Sequence, residues 1–201
     1  SFSKTKIFSL EYSLSPEKKF PYATNEALTA INWLCERGVN INNISLCGDS
    51  AGAHLAASVT HTIANENRQN VHSQFLIYPM CDPNCKSNSI ELFKEGYLLT
   101  KKAMEWFWDK FRNSLADNDV NTFNLLLLEP EKKIPKTIIV TAGFDPLLDE
   151  AEKYAFLLHK NGTYVKQLHY PSLFHGFANM TRLKSAKKAV DDFLSEYKEI
   201  L

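Results

Sequence analysis

Short apolar runs alternate with helical patterns along most of the chain. Lys6 to Leu14 carries the apolar and aromatic residues of a strand, and Ser15-Pro16-Glu17 breaks it. From Tyr22 to Arg37, the apolar positions Ala27, Ala30, Ile31 and Leu34 recur at i, i+3, i+4 and i+7. That spacing predicts an amphipathic helix with Gly38 as its C-cap. Ile44 to Cys47 reads as a short strand, and Ala51 to Ala64 as a small-residue helix. Phe75-Leu76-Ile77-Tyr78 and Thr137-Ile138-Ile139-Val140-Thr141 lack strict polar alternation, which predicts strands buried on both faces of a parallel sheet. Leu148 to Lys160 is helical, with Ala151, Tyr154, Ala155 and Leu158 on one face and Asn161-Gly162 ending it. Tyr164 to Tyr170 is the last strand. Thr181 to Ile200 closes the chain as a helix whose Ala186, Val190, Phe193, Leu194 and Tyr197 make a buried stripe. The order is β-α-β-α-β, an insertion, then β-α-β-α: an α/β chain, with residues 1–201 as one domain on a mainly parallel sheet.

The insertion, at about 80–135, departs from this rhythm. Within it Thr100 can cap a helix in which Met104, Phe107, Trp108 and Phe111 share a face, with Trp106 beside them. An aromatic helical segment placed after a sheet strand can pack over the strand ends as a lid.

Composition narrows the function classes. The 201 residues are 44% hydrophobic and carry 23 basic and 23 acidic side chains, enough apolar material for one core and no basic excess to hold phosphates. Nucleic acid is therefore not an expected partner. No apolar run reaches the ~18 residues of a membrane span, and the N-terminus lacks a charged-then-apolar signal pattern, so the expectation is an intracellular, cytoplasmic protein. The four cysteines are too few for a disulfide scaffold. Cys35 and Cys47 read as small core residues. Cys81 and Cys85 flank a turn with no second Cys/His pair at zinc spacing, so neither metal nor other cofactor is expected.

The chemistry centres on Gly48-Asp49-Ser50-Ala51-Gly52, a Gly-x-Ser-x-Gly sequence between a strand and a helix. A serine on so sharp a turn is strained with its hydroxyl outward, and flanking glycines remove colliding side chains. The alternative is a tight turn with Ser50 as a helix cap. A serine hydroxyl needs a base within hydrogen-bond reach and an acid to orient that base. Two loops after strands supply candidates, Ala142-Gly143-Phe144-Asp145-Pro146 and Pro171-Ser172-Leu173-Phe174-His175-Gly176-Phe177. Asp145 is nearest its strand end, although an aspartate before proline is also an N-cap, and Asp149 is the second candidate acid. Of six histidines, only His175 lies in a loop after the last strand; His54, His61, His72, His159 and His169 fall in or beside regular elements.

These residues resemble the hormone-sensitive lipase family of α/β-hydrolase esterases. The matching stretches are LEYSLSPEKKFP, GDSAGAHLA, EGYLLTKKAMEWFWDKF, TAGFDPLLDEA and FHGF, in the family's order through nearly the whole chain. The resemblance implies a three-layer α/β-hydrolase fold, with Ser50 as nucleophile, Asp145 as acid, His175 as base and the Ala51 N–H as one oxyanion donor. It implies an ester substrate with a short to medium acyl chain. Family members carry a His-Gly-Gly-Gly oxyanion loop upstream of the stretch matching Lys6–Leu14, and the expectation is an N-terminally truncated fold without that loop. Smaller departures are Ser13, where arginine is usual, and Ala151, where glycine is common. Two further expectations follow: a rival function as a catalytically weak module holding a small apolar ligand, and self-association through an exposed sheet edge.

Overall fold

In the computed structural model, which describes residues 5–66, 69–129 and 132–200, one sheet carries four strands: β1 (Ser45–Asp49), β2 (Ser73–Ile77), β3 (Lys136–Phe144) and β4 (Val165–Phe174). They lie in sequence order, and each neighbouring pair is parallel. The helices are α1 (Tyr22–Glu36), α2 (Ala51–Asn65), α3 (Asn88–Leu92), α4 (Lys101–Phe111), α5 (Leu148–Lys160) and α6 (Lys184–Lys198).

The unbroken apolar runs have a direct cause in the packing. Leu76 and Ile139 are register partners that point to one side, where Ala53, Ala57, Ala151, Tyr154 and Ala155 of α2 and α5 cover them. Their neighbours Phe75, Ile77, Ile138 and Val140 point to the other side, against Ala186, Ala189 and Phe193 of α6. With both faces covered, the middle of the central pair is apolar, and the buried polar residues near its start, Gln74 and Thr137, hydrogen-bond to each other (2.9 Å). Ile31 of α1 packs against Val59 and Ile63 of α2, so α1 forms an outer shoulder of the same layer.

Several expectations fail in instructive ways. Lys6–Leu14 forms no strand. A strand needs a partner for its ladder, and β1 is the sheet's edge with no further strand beyond it among the described residues. Ile7, Phe8 and Leu14 are accordingly exposed, while Ser13 fixes the segment to α1 by donating its N–H and hydroxyl to the Glu26 carboxylate. Cys47 is an exposed residue of β1, not a core one, and Cys35 is only half-buried. At the other edge, β4 runs on to Phe174, four residues past the expected end. Pro171 is tolerated there because an edge strand need not donate on its free side.

The insertion between β2 and β3 contains α3, α4 and two 3₁₀ turns, Leu115–Asp119 and Leu125–Leu127; residues 130 and 131 of the expected segment lie outside the described residues. Its core joins Met104 and Trp108 of α4 to Phe20, Met80, Ile90, Phe123 and Leu147, with Phe111 packed at the side. Phe107 does not share that face. It is exposed beside Trp106, because the buried stripe runs at i, i+4 and i+7 and leaves the i+3 position outside.

Candidate active site

β1 delivers the chain into a sharp turn. Ser50 has φ 52° and ψ −114°, a backbone conformation that side chains rarely adopt. Hydrogen bonds on both sides hold it there: the Ser50 N–H donates to Ile77 O (2.8 Å), and the His54 N–H donates to Ser50 O (3.0 Å). The turn is so tight that a Cβ on Gly48 would lie 2.2 Å from the Gly52 carbonyl carbon. A Cβ on Gly52 would meet nothing within 4 Å. The steric demand expected of both glycines therefore falls on Gly48 alone, with Gly52 supplying the backbone that crosses it. Ala51 opens α2, so its N–H belongs to the unpaired first turn of that helix.

The other two groups arrive from the ends of β3 and β4. Gly143 makes their close approach possible, since a Cβ there would lie 2.2 Å from Pro171 O, and the register between the two strands shifts at this point. Asp145 follows, 1% exposed. Its Oδ1 accepts the Leu147 N–H (2.8 Å), and its Oδ2 lies 2.8 Å from His175 Nδ1. The αL conformation of Gly176 (φ 82°) turns the chain sharply after β4 and leaves His175 facing the elbow. His175 Nε2 is 2.9 Å from Ser50 Oγ. With Nδ1 against a carboxylate, the imidazole carries its proton on that nitrogen and presents a lone pair to the serine hydroxyl.

The remaining candidates stand elsewhere. Asp149 accepts the Ser89 N–H (2.8 Å) and so fixes α3 to α5. His54 is buried, with Nδ1 at 3.1 Å from Met80 O, and burial pushes its pKa down to about 4. His61 is likewise pushed down to about 4 by burial, between Asn121 O and the Tyr154 hydroxyl. His72 faces Ile200 O, and His169 faces Thr141 Oγ1. Sequence reasoning passed over Tyr78 and Asn179 beside this cluster and gave Asp49 no part beyond its place in the Gly-x-Ser-x-Gly turn. Asp49 Oδ2 accepts from Asn179 Nδ2 (2.9 Å) and from the Tyr78 hydroxyl (3.4 Å), and the Tyr78 ring lies 4.6 Å from the His175 ring. Tyr78 sits just past β2 with φ 39°; its only outward sign in the sequence is its place before Pro79 at a strand end.

A family model described as the alpha/beta hydrolase fold matches residues 2–179. The chain belongs to that family. Its relatives among characterised proteins include the carboxylic ester hydrolase LipN of Mycobacterium tuberculosis, 34% identical over 91% of this chain and 51% of LipN. Another is the ethyl acetate hydrolase of Pseudomonas putida, 30% identical over 87% of this chain and 56% of that protein. Among solved structures, the thermostable carboxylesterase EstE1, cloned from a metagenomic library, superposes with a TM-score of 0.87 at 30% identity, covering 94% of this chain and 67% of EstE1. These relatives are of the hormone-sensitive lipase and carboxylesterase type that the motifs resemble. The chain spans about half the length of the two hydrolases.

Proposed function

We propose that this chain is the triad-bearing part of a serine carboxylesterase, with Ser50 as nucleophile, His175 as general base and acid, and Asp145 as the group that orients it. The single observation carrying this reading is the continuous chain of hydrogen bonds from Ser50 Oγ through His175 to Asp145, at 2.9 and 2.8 Å. Ser50 Oγ attacks the ester carbonyl carbon as its proton passes to His175 Nε2. The carbonyl oxygen takes up negative charge, and the Ala51 N–H at the head of α2 is one donor for it. Collapse breaks the bond to the alcohol oxygen, which leaves with the proton from Nε2. A water then gives its proton to the same nitrogen and attacks the acyl carbon, and Ser50 departs reprotonated.

The substrate class that suits this reading is a small carboxylic ester with a short to medium acyl chain, taken up beneath the 80–135 segment acting as a lid. A zero net charge speaks against nucleic acid as a partner. The uncovered side of β1, with Cys47 exposed on it, supports self-association through that edge; sedimentation giving a clean monomer at high concentration overturns that part. Among the described residues, no helix is long and apolar enough to cross a membrane.

Hydrolysis of a short-chain aryl ester by the 201-residue chain, beside Ser50→Ala, tests the reading. Turnover that vanishes in Ser50→Ala upholds it. Background rates in both, together with no labelling of Ser50 by a fluorophosphonate, leave the rival, a module that holds a small apolar ligand without cleaving it.

A further inference from the structure

Tyr78 takes no part in the steps above, yet more of the site converges on it than on any other bystander. It is 1% exposed, held past the end of β2 by its N–H to Val140 O (2.7 Å), with φ 39°. A side chain persists in such a conformation only where its surroundings fix it. Its ring lies between the imidazole of His175 (4.6 Å, tilted 54°) and Phe177 (5.6 Å). Its hydroxyl donates to Asp49 Oδ2 (3.4 Å), which also accepts Asn179 Nδ2 (2.9 Å). Asp49 immediately precedes Ser50, while Asn179 lies four residues after His175. One phenol and one carboxylate thus join the turn that carries the serine to the turn that carries the histidine.

We propose that Tyr78, Asp49 and Asn179 are positioning residues that hold the His175 imidazole in line with Ser50, the Tyr78 ring as its wall and Asp49 as the clasp between the two turns. The physical need is plain. His175 comes from a loop off an edge strand, and Asp145 restrains only one of its nitrogens. Without a wall, the ring can swing about its side-chain torsions while keeping its bond to Asp145, carrying Nε2 away from Ser50. Burial raises the Tyr78 hydroxyl well above the usual phenol range, so it stays protonated and continues to donate to Asp49.

The proposal rests on the esterase reading for its kinetic consequences, and its test includes a readout independent of turnover. Tyr78→Leu, Asn179→Ala, Asp49→Ala and Asp49→Asn are compared with wild type in aryl-ester kinetics, in the rate of Ser50 phosphonylation by a fluorophosphonate, and in the proton NMR resonance of His175 Nδ1–H, assigned by its loss in His175→Gln. Tyr78→Leu is expected to lower kcat and the phosphonylation rate by about 10- to 100-fold with KM little changed, and to broaden the resonance. Asn179→Ala and Asp49→Ala each lower kcat by about 3- to 10-fold, and the double variant falls short of the product, since both remove one hydrogen bond. Asp49→Asn, which keeps an acceptor oxygen, recovers part of the loss. Folded variants with unchanged kcat and an unchanged resonance overturn the proposal. Should Tyr78→Leu fail to fold, Asn179→Ala decides alone, because its side chain is exposed. Should wild type neither cleave ester nor react with the fluorophosphonate, the esterase reading fails, and the resonance alone upholds or overturns the positioning role.

Discussion

Asp145 and Glu150 are two carboxyl groups five residues apart, one just before α5 and one in its first turn, and both are buried. Every oxygen of Asp145 has a partner, Oδ1 with the Leu147 N–H and Oδ2 with His175. Glu150 places Oε1 on the Cys81 and Asp82 N–H groups (2.7 and 3.3 Å), but Oε2 has none. Burial pushes the Glu150 carboxyl well above the usual carboxylate range, and the nearby Asp82 and Asp145 add to the rise. The contrast teaches that burial alone does not fit a carboxyl for the part proposed for Asp145. What separates the two is a cation-forming partner: an imidazole for one, two neutral amides for the other.

The strongest way to break the contrast is Asp145→Asn. Its amide offers N–H where the carboxylate offered a lone pair, so the imidazole settles with its proton on Nε2 and cannot accept one from Ser50. A fall in kcat of about 10⁴-fold with Ser50 still folded into its turn is expected; aryl-ester kinetics check it, and a loss below tenfold contradicts the assignment of Asp145.

The second test concerns His54, which resembles Glu150 in having one buried polar atom, Nε2, without a partner. Its sign is opposite. The unfolded chain takes up a proton near 6.5 while the folded one waits until about 4, so the stability this group contributes is whole above pH 6.5 and is lost as pH falls toward 4. The loss is on the order of 3 kcal/mol across that window. Urea unfolding from pH 7 to 4 should therefore be less steep in pH for His54→Asn than for wild type, and identical slopes would refute the point.

Gly143→Ala probes the strand crossing that brings Asp145 to His175. With Pro171 backbone 2.2 Å from the new Cβ, β3 and β4 must separate, at about 1–3 kcal/mol of stability. Gly52→Ala, where the space is open, should lower the melting temperature less.

Legibility followed the reach of each interaction. The strands of the central pair, the helix stripes and the order of Ser50, Asp145 and His175 were readable because each rests on local periodicity or on the residue that ends a strand. The Lys6–Leu14 strand was misread because a strand is a property of a pair, and its composition says nothing of a missing neighbour. Cys47 was misplaced for the same reason: an apolar run does not reveal that it forms an edge. Tyr78 and Asn179 stand 101 residues apart in sequence, and the contact through Asp49 that unites them leaves no spacing to read.

The mildest change sharpens the comparison most directly. Glu150→Gln keeps an oxygen on the Cys81 and Asp82 N–H groups and removes the charge, while leaving the Asp145–His175 pair untouched. Because the folded-state pKa of Glu150 is raised, its stabilising contribution is complete below the unfolded value of about 4.5 and declines as pH rises toward the folded one. Wild type and Glu150→Gln should therefore match in stability near pH 4.5 and diverge upward, the variant gaining on wild type as pH rises to 7. Thermal melts at several pH values read this, and kcat should stay within about twofold, since no proton in the reaction passes through Glu150. A variant that loses stability as pH rises would mean that the Glu150 carboxyl is ionised in the folded chain. The two amides would then suffice to hold a buried charge, and the partner on Oδ2 would no longer be what sets Asp145 apart.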